Sequence, residues 1–251
     1  DKIAVISGPS FAIDIANNYP VGLTLACQDK ETIELTFKAL VNNHFKLRKS
    51  HDIIGTELCG SVKNIIAIAS GILAGLGMPE STSAMLITES LHDIKALIKG
   101  LGGDGSTVLS YAGFGDLLLT ATSSKSRNYS FGYLIGSKAS KEEINNYIKN
   151  TTIEGLYTLK SISELVTNKD VDMPIINLME QIIYQNKNPE ELINFLIQKP
   201  EKAFFIIKKS QLFSFCSKSI FFIEFFNLTS FLNCSLFTSK KWMTFITNLY
   251  F

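Results

Sequence analysis

Apolar and polar positions along the chain fall into three regimes. Residues 3–6, IAVI, are an unbroken apolar run of strand length and predict a short buried strand. SGPSFAIDIANN follows as a Gly-Pro turn running into a helical pattern. Ser10 is the expected cap, and Phe11 and Ile15 are spaced as an apolar stripe. YPVGLTLAC predicts a second strand. DKETIELTFKALVN predicts an amphipathic helix with Ile33, Phe37, Leu40 and Val41 on one face. FKLRKSH is a third strand candidate. Such strand–helix alternation is what one end of a doubly wound α/β domain looks like.

From Asp52 to about Lys199 the apolar period is helical almost throughout, with glycine-rich joints expected at 71–77, 100–105 and 113–115. This region predicts an all-helical domain, with Pro174 and Pro189 at helix starts. The final stretch has no clear period. Residues 203–251 hold twelve of the chain's 18 Phe among many Ser, Lys and Asn. Their uncharged segment 225–239 is short and polar for a membrane span. A weak anchor, an aromatic interaction tail and translation of a wrong frame in AT-rich DNA compete, and the residue diet favours the wrong frame. The opening DKIAVISG has no initiator Met and reads like the middle of a chain, so the start is expected to be missing.

Composition narrows the function classes. In 251 residues, 24 Lys and Arg oppose 23 Asp and Glu, well mixed along the chain, so no global field points to nucleic acid or an anionic membrane. Cys27, Cys59, Cys216 and Cys234 show no zinc-like spacing, and His44, His51 and His92 complete no ligand set. No metal is expected. Scattered thiols suit a reducing cytosol, as small buried hydrophobes.

Three stretches carry candidate chemistry. GLGGDG at 100–105 spells G-x-G-x-x-G, but a helical pattern precedes it, so it predicts a glycine-rich helix C-cap rather than a dinucleotide loop. In AGFGDLLLTATSSKSRN, Asp116 and Thr120 share a helix face, with an N-cap and a back-bonding core residue as their plain structural roles. Arg127 and Asn128 follow in a Ser-rich loop, where an arginine can fork onto a phosphate or form a surface salt bridge. In TELCGSVKNIIAIASG, Lys63 sits in an otherwise apolar helix. It is either a snorkelling surface residue or a proton-transfer group. Gly60, Ser61, Ala67 and Gly71 are small and would let a backbone or ligand approach its face, and partial desolvation there favours the neutral amine.

SGPSFAIDIA, GSVKNIIAIASGILAGLG, AGFGDLLLTATSSKSRNYSFG and IEGLYTLKSI…DMPI occur in this order and spacing over residues 1 to about 199. Together they closely resemble the bacterial NAD(P)-dependent glycerol-3-phosphate dehydrogenases. The resemblance implies an α/β plus all-α fold: the end of a Rossmann-like dinucleotide-binding domain at 1–51, then an all-helical domain at 52–200 of the 6-phosphogluconate dehydrogenase C-terminal type. Residues 201–251 form a tail outside it. The implied reaction interconverts dihydroxyacetone phosphate and sn-glycerol 3-phosphate with NAD or NADP, in the cytoplasm, supplying phospholipid synthesis. Lys63 matches the proton acceptor, with Asn64, Asp116 and Thr120 as companions. Gly8, Ser10, Lys63, Asp116, Ser126, Arg127 and Asn128 match substrate-contacting positions. Ala12, Arg127, Thr152 and Glu154 match cofactor contacts. A homodimer is the expected assembly. The family's opening strand and glycine-rich phosphate loop have no counterpart in these residues. Ser83 and Glu89 stand where the family carries arginines, which puts a local surface or oligomer contact in doubt. Two alternatives follow: a fragment that no longer catalyses, and a related β-hydroxyacid-type dehydrogenase.

Overall fold

The structure, a computed structural model, describes residues 2–169 and 171–199. The expectations for 201–251, including Cys216 and Cys234, lie outside the described residues. The first fifty residues build a three-stranded sheet. Strand β1 (Val5–Ser7) runs antiparallel to β2 (Val21–Ala26), and β2 runs parallel to β3 (Phe45–Ser50), in the order β1-β2-β3. A short helix, α1 (Ala12–Ala16), links β1 to β2, and α2 (Lys30–Leu40) makes the crossover that a parallel pair requires. Asp29 caps α2, accepting from the Thr32 amide at 2.7 Å. Ile33 and Phe37 on α2 pack against Leu25 and Cys27, while Val21, Leu23 and Leu47 pack with Phe37, Leu40 and Ile15. An antiparallel edge strand on a parallel sheet is common in doubly wound folds.

Helices follow from residue 53 onward: α3 (Ile53–Gly75), α4 (Glu80–Gly100), α5 (Asp116–Thr122), α6 (Arg127–Gly136), α7 (Lys141–Asn150), α8 (Glu154–Asn168), α9 (Pro174–Tyr184) and α10 (Glu191–Gln198). A 3-10 turn at Gly105–Leu109 and a π turn at Tyr111–Gly115 lie between α4 and α5. Helix α3 is the axis of this part. It is long and apolar enough to cross a membrane by composition, yet 72% of its most apolar window is buried inside the fold. Ile65, Ile66, Ile68, Ile72 and Leu73 are fully buried in one continuous core with residues of α4, α5, α6, α8, α9 and α10.

The closest packing is between α3 and α6. A Cβ on Gly71 would collide with the Tyr129 carbonyl, and Cβ atoms on Gly132 and Gly136 would collide with the carbonyls of Ile68 and Ile72. Glycine is required at these positions because two helix backbones touch. Of the small residues around Lys63, Gly71 admits another backbone, while a Cβ on Gly60 would meet only the Ser7 hydroxyl, at 3.4 Å.

Several local expectations are corrected. The first strand spans 5–7 rather than 3–6 and is not buried: Ile6 within it and Ile3 ahead of it are exposed. Ser10 does not cap α1; Phe11 holds the N-cap position, and the Ser10 hydroxyl turns back to the Gly8 carbonyl at 3.4 Å. Val41 leaves the apolar face of α2, because the helix ends at Leu40 and Val41 is extended. Gly71 and Gly75 lie within α3, so the joint shrinks to the residues around Gly77, whose φ of 78° needs glycine. Pro174 opens α9 as expected, whereas Pro189 sits one residue ahead of the α10 cap, Glu190.

Candidate active site

Three segments distant in sequence converge on one carboxylate. Lys63 lies midway along α3, Asp116 is the first residue of α5, and Ser7 ends β1. Lys63 Nζ donates to Asp116 Oδ2 at 2.6 Å, and the Ser7 hydroxyl donates to the same oxygen at 3.3 Å. Thr120, one turn on, donates to the Asp116 carbonyl at 2.7 Å and lies 3.4 Å from Oδ1. The side chain of Asp116 is 4% exposed and that of Lys63 21%. Burial pushes the Asp116 carboxyl above its ordinary range; the Lys63 charge and hydrogen bond oppose that, with smaller help from Ser7 and Thr120. Lys63 is thus a largely sheltered lysine with one open side, aimed by a buried acid.

The local causes are legible. The π turn at Tyr111–Gly115 is held by the Ser110 hydroxyl, which accepts from the Gly113 amide at 3.2 Å. A Cβ on Gly113 would strike the Val108 carbonyl, so the chain can pass there only as glycine. The turn makes Gly115 the N-cap and Asp116 the first helical residue. The expected N-cap role for Asp116 is therefore corrected: its carboxylate faces Lys63 instead. Such single π turns concentrate at functional sites.

A second network begins one residue along. Asn64, buried on α3, accepts from Asn128 Nδ2 at 3.0 Å, and Asn128 in turn accepts from the Gly155 amide at 2.9 Å. Asn64 Nδ2 lies 3.4 Å from both the Gly60 carbonyl and Glu154 Oε2. Glu154 Oε1 accepts from Arg127 Nη2 at 2.8 Å. Arg127 and Asn128 were expected in a loop; they form the first turn of α6, with Ser126 as N-cap accepting from the Tyr129 amide at 3.3 Å. Helix α6 thus carries the arginine at its amide-rich end.

Among the expected site residues, the structure brings Lys63, Asp116 and Thr120 together, and Asn64, Asn128, Arg127 and Glu154 together, with Ser126 capping. Gly8 is buried where a Cβ would approach the Gly22 carbonyl at 2.6 Å. Ser10, the exposed Ala12 and the exposed Thr152 stand outside both networks. Ser7, Gly155 and Tyr147, whose hydroxyl donates to the Arg127 carbonyl at 3.1 Å, were missed. No local pattern ties Ser7 to a residue 109 positions away.

The family described as NAD-dependent glycerol-3-phosphate dehydrogenase C-terminus matches residues 52–194, more than half of the chain and nearly all of both networks. The chain belongs to that family. It is 37% identical over 201 residues to the glycerol-3-phosphate dehydrogenase [NAD(P)+] of Staphylococcus aureus strain USA300 / TCH1516, covering 80% of this chain and 60% of that protein. The crystal structure of glycerol-3-phosphate dehydrogenase from Coxiella burnetii superposes with a TM-score of 0.74 at 37% identity, over 78% of this chain and 60% of that one. A Plasmodium falciparum glycerol-3-phosphate dehydrogenase shares the fold, with a TM-score of 0.67 at 24% identity, over 78% of this chain and 57% of its own. The chain therefore spans about three fifths of the dehydrogenases it matches. These likenesses bear out the fold class: a Rossmann-type end followed by a helical glycerol-3-phosphate dehydrogenase domain. Glycines 100–105, the literal dinucleotide match, form a helix C-cap. The Gly103 amide bonds to the Ile98 carbonyl at 2.9 Å and the Gly102 amide to Lys99 at 3.1 Å, with Gly102 at φ 85°. Among the described residues, no group of three or more His, Cys, Asp or Glu is placed to hold a metal.

Proposed function

We propose that this chain contributes the proton-transfer and phosphate-holding part of an NAD(P)-dependent interconversion of dihydroxyacetone phosphate and sn-glycerol 3-phosphate. The observation that carries the reading is the Lys63–Asp116 pair, 2.6 Å long and open to solvent only on the lysine side. In the reducing direction, Lys63 as ammonium gives its proton to the ketone oxygen as the carbonyl carbon is reduced. In reverse, its amine takes the proton back. Asp116 holds the charged form and aims it. Thr120, fixed to the Asp116 carbonyl, keeps the acid in place. Arg127, with the free amides at the start of α6, supplies the positive end for the phosphate, and Asn64 and Asn128 set the spacing between the two ends.

Arg127 and Glu154 are about half exposed at the rim, 52% and 55%, which fits a polar, phosphorylated nicotinamide cofactor lying across them. Ala12 and Thr152, both exposed, are further cofactor-side candidates, and Gly8, Ser10 and Ser126 substrate-side ones. When bound, that cofactor supplies the hydride. In this reading residues 1–51 are the end of the nucleotide-binding domain and 52–200 the substrate domain. The assembly is a homodimer working in the cytoplasm, and the product feeds glycerophospholipid synthesis.

The chain's coverage of only about 60% of its relatives favours a second reading, in which it holds the phosphorylated substrate without turning it over. Loss of NADH absorbance on adding dihydroxyacetone phosphate separates the two. The chain is assayed as it stands and fused to the N-terminal half of a relative, each beside its Lys63→Ala version. Turnover in the unfused chain, abolished by Lys63→Ala, supports the first reading for the chain alone. Turnover only in the fusion, abolished there by Lys63→Ala, upholds the role of Lys63 and supports the second reading for the chain as it stands. No rate in either form refutes the assigned reaction.

A further inference from the structure

The cation that would hold the phosphate is already engaged. Arg127 Nη2 donates to Glu154 Oε1 at 2.8 Å, and the other Glu154 oxygen lies 3.4 Å from Asn64, the neighbour of Lys63. Both partners are about half exposed, so the pair is easily opened by a competing anion. A guanidinium has five donors in a fixed fork, and one is spent on Glu154. A phosphate can therefore bind the remaining donors, but it then shares one cation with a carboxylate a few ångströms away.

We propose that Glu154 sets the affinity of this site for phosphorylated substrate, acting as a charge brake on Arg127. This rests on the reading that Arg127 holds the phosphate. Glu154 does two things at once. It neutralises Arg127 in the empty site, and it repels a bound dianion more than a monoanion. The same carboxylate reaches Asn64, so displacement of Arg127 by phosphate leaves Glu154 with a partner one residue from the proton-transfer lysine. A site that holds a dianion less tightly releases it sooner, which suits a reaction whose substrate and product carry the same phosphate.

Binding of sn-glycerol 3-phosphate to the full chain, without cofactor, tests this by calorimetry at pH 7.5. Glu154→Gln keeps an oxygen for Arg127 and removes the charge. It should tighten binding of the dianion about tenfold, the scale of a carboxylate acting on two charges a few ångströms off in water. The methyl phosphodiester of the same ligand carries one charge and should gain clearly less. That charge-dependent difference is one a structural role would not produce. Arg127→Met should lose binding of both ligands, and adding Glu154→Gln to it should restore none. If Glu154→Gln binds no more tightly than the natural chain, or the two ligands gain equally, the brake is overturned while the phosphate role of Arg127 stands. If Arg127→Met binds as well as the natural chain, or no form binds saturably, the underlying reading falls as well.

Discussion

Replacing Lys63 with methionine removes the ammonium and keeps most of the apolar stem. Asp116 is then a carboxylate 4% exposed, whose remaining side-chain donors are Ser7 at 3.3 Å and Thr120 at 3.4 Å. Breaking a buried ion pair from one side costs about 3–5 kcal/mol. Lys63 is 21% exposed, so water reaches the vacated side and the expected loss lies near the lower end, about 3 kcal/mol at pH 7.5. Burial already raises the Asp116 carboxyl, and without the lysine it rises further. A carboxyl raised above its unfolded value contributes stability that is fully present below that value, about 3.9, and is lost as pH rises through the folded one. The deficit of Lys63→Met must therefore shrink as pH falls from 7.5 towards 4.5, because the folded state takes up the proton first. Lys63→Met with Asp116→Asn should recover to within about 1 kcal/mol of the natural chain, since no buried charge remains. Urea unfolding followed by circular dichroism at several pH values reads all three. With a slope of about 2 kcal/mol per molar, the single variant should unfold about 1.5 M earlier. A loss below about 1 kcal/mol at pH 7.5, or one that does not change with pH, would refute the buried-pair argument.

Gly132→Ala forces α6 off α3, because its Cβ meets the Ile68 carbonyl, a backbone atom that cannot step aside. A loss of at least about 2 kcal/mol is expected, and a melting temperature within two degrees or so of the natural chain would show that the helices separate freely. Arg127→Ala should cost less than about 1 kcal/mol of stability, since its partner pair is half exposed, while binding of sn-glycerol 3-phosphate is lost. A stability loss as large as that of Lys63→Met would contradict this division of roles. Asn128→Ala strips the Gly155 amide and Asn64 of a buried partner and should cost about 1–3 kcal/mol; an unchanged urea midpoint would count against the network. Cys59 is buried and its thiol is pushed up to about 12 by desolvation, with Asp52 and Asp116 adding. In a chain whose other cysteines are serine, it should resist a disulfide reagent at pH 8 until urea is added. Rapid modification of the folded chain would show that the helix core opens.

Most elements were legible because their causes are local. The 3.6-residue apolar period marked α2 and α3. The Gly102–Gly103 cap closes onto its own helix, as expected, and the Asp29 and Asp52 caps, each accepting from the amide three residues on, are local in the same way. The errors have both tertiary and local causes. Gly71 carries a joint's propensity but lies inside a helix, because α6 rewards its missing side chain. Arg127 and Asn128, among serines, suggested a loop, where Ser126 instead begins a helix. The literal dinucleotide fingerprint at 100–105 was set aside for the helical pattern ahead of it, and it does form a helix C-cap.

By itself the sequence determined which residues could carry the chemistry and which family pattern they spell. Lys63, Asn64, Asp116, Arg127 and Glu154 were all named from it. It could not determine their partners. Lys63 and Asp116 are 53 residues apart, Ser7 and Asp116 109, Arg127 and Glu154 27. Such pairs cost loop-closure entropy that no local propensity repays. They exist because the buried face of α3 gathers α5, α6 and α8 around it, with the end of β1 laid alongside. Only that packing makes a lysine in an apolar helix the partner of a buried acid, and sets an arginine against a glutamate at the rim.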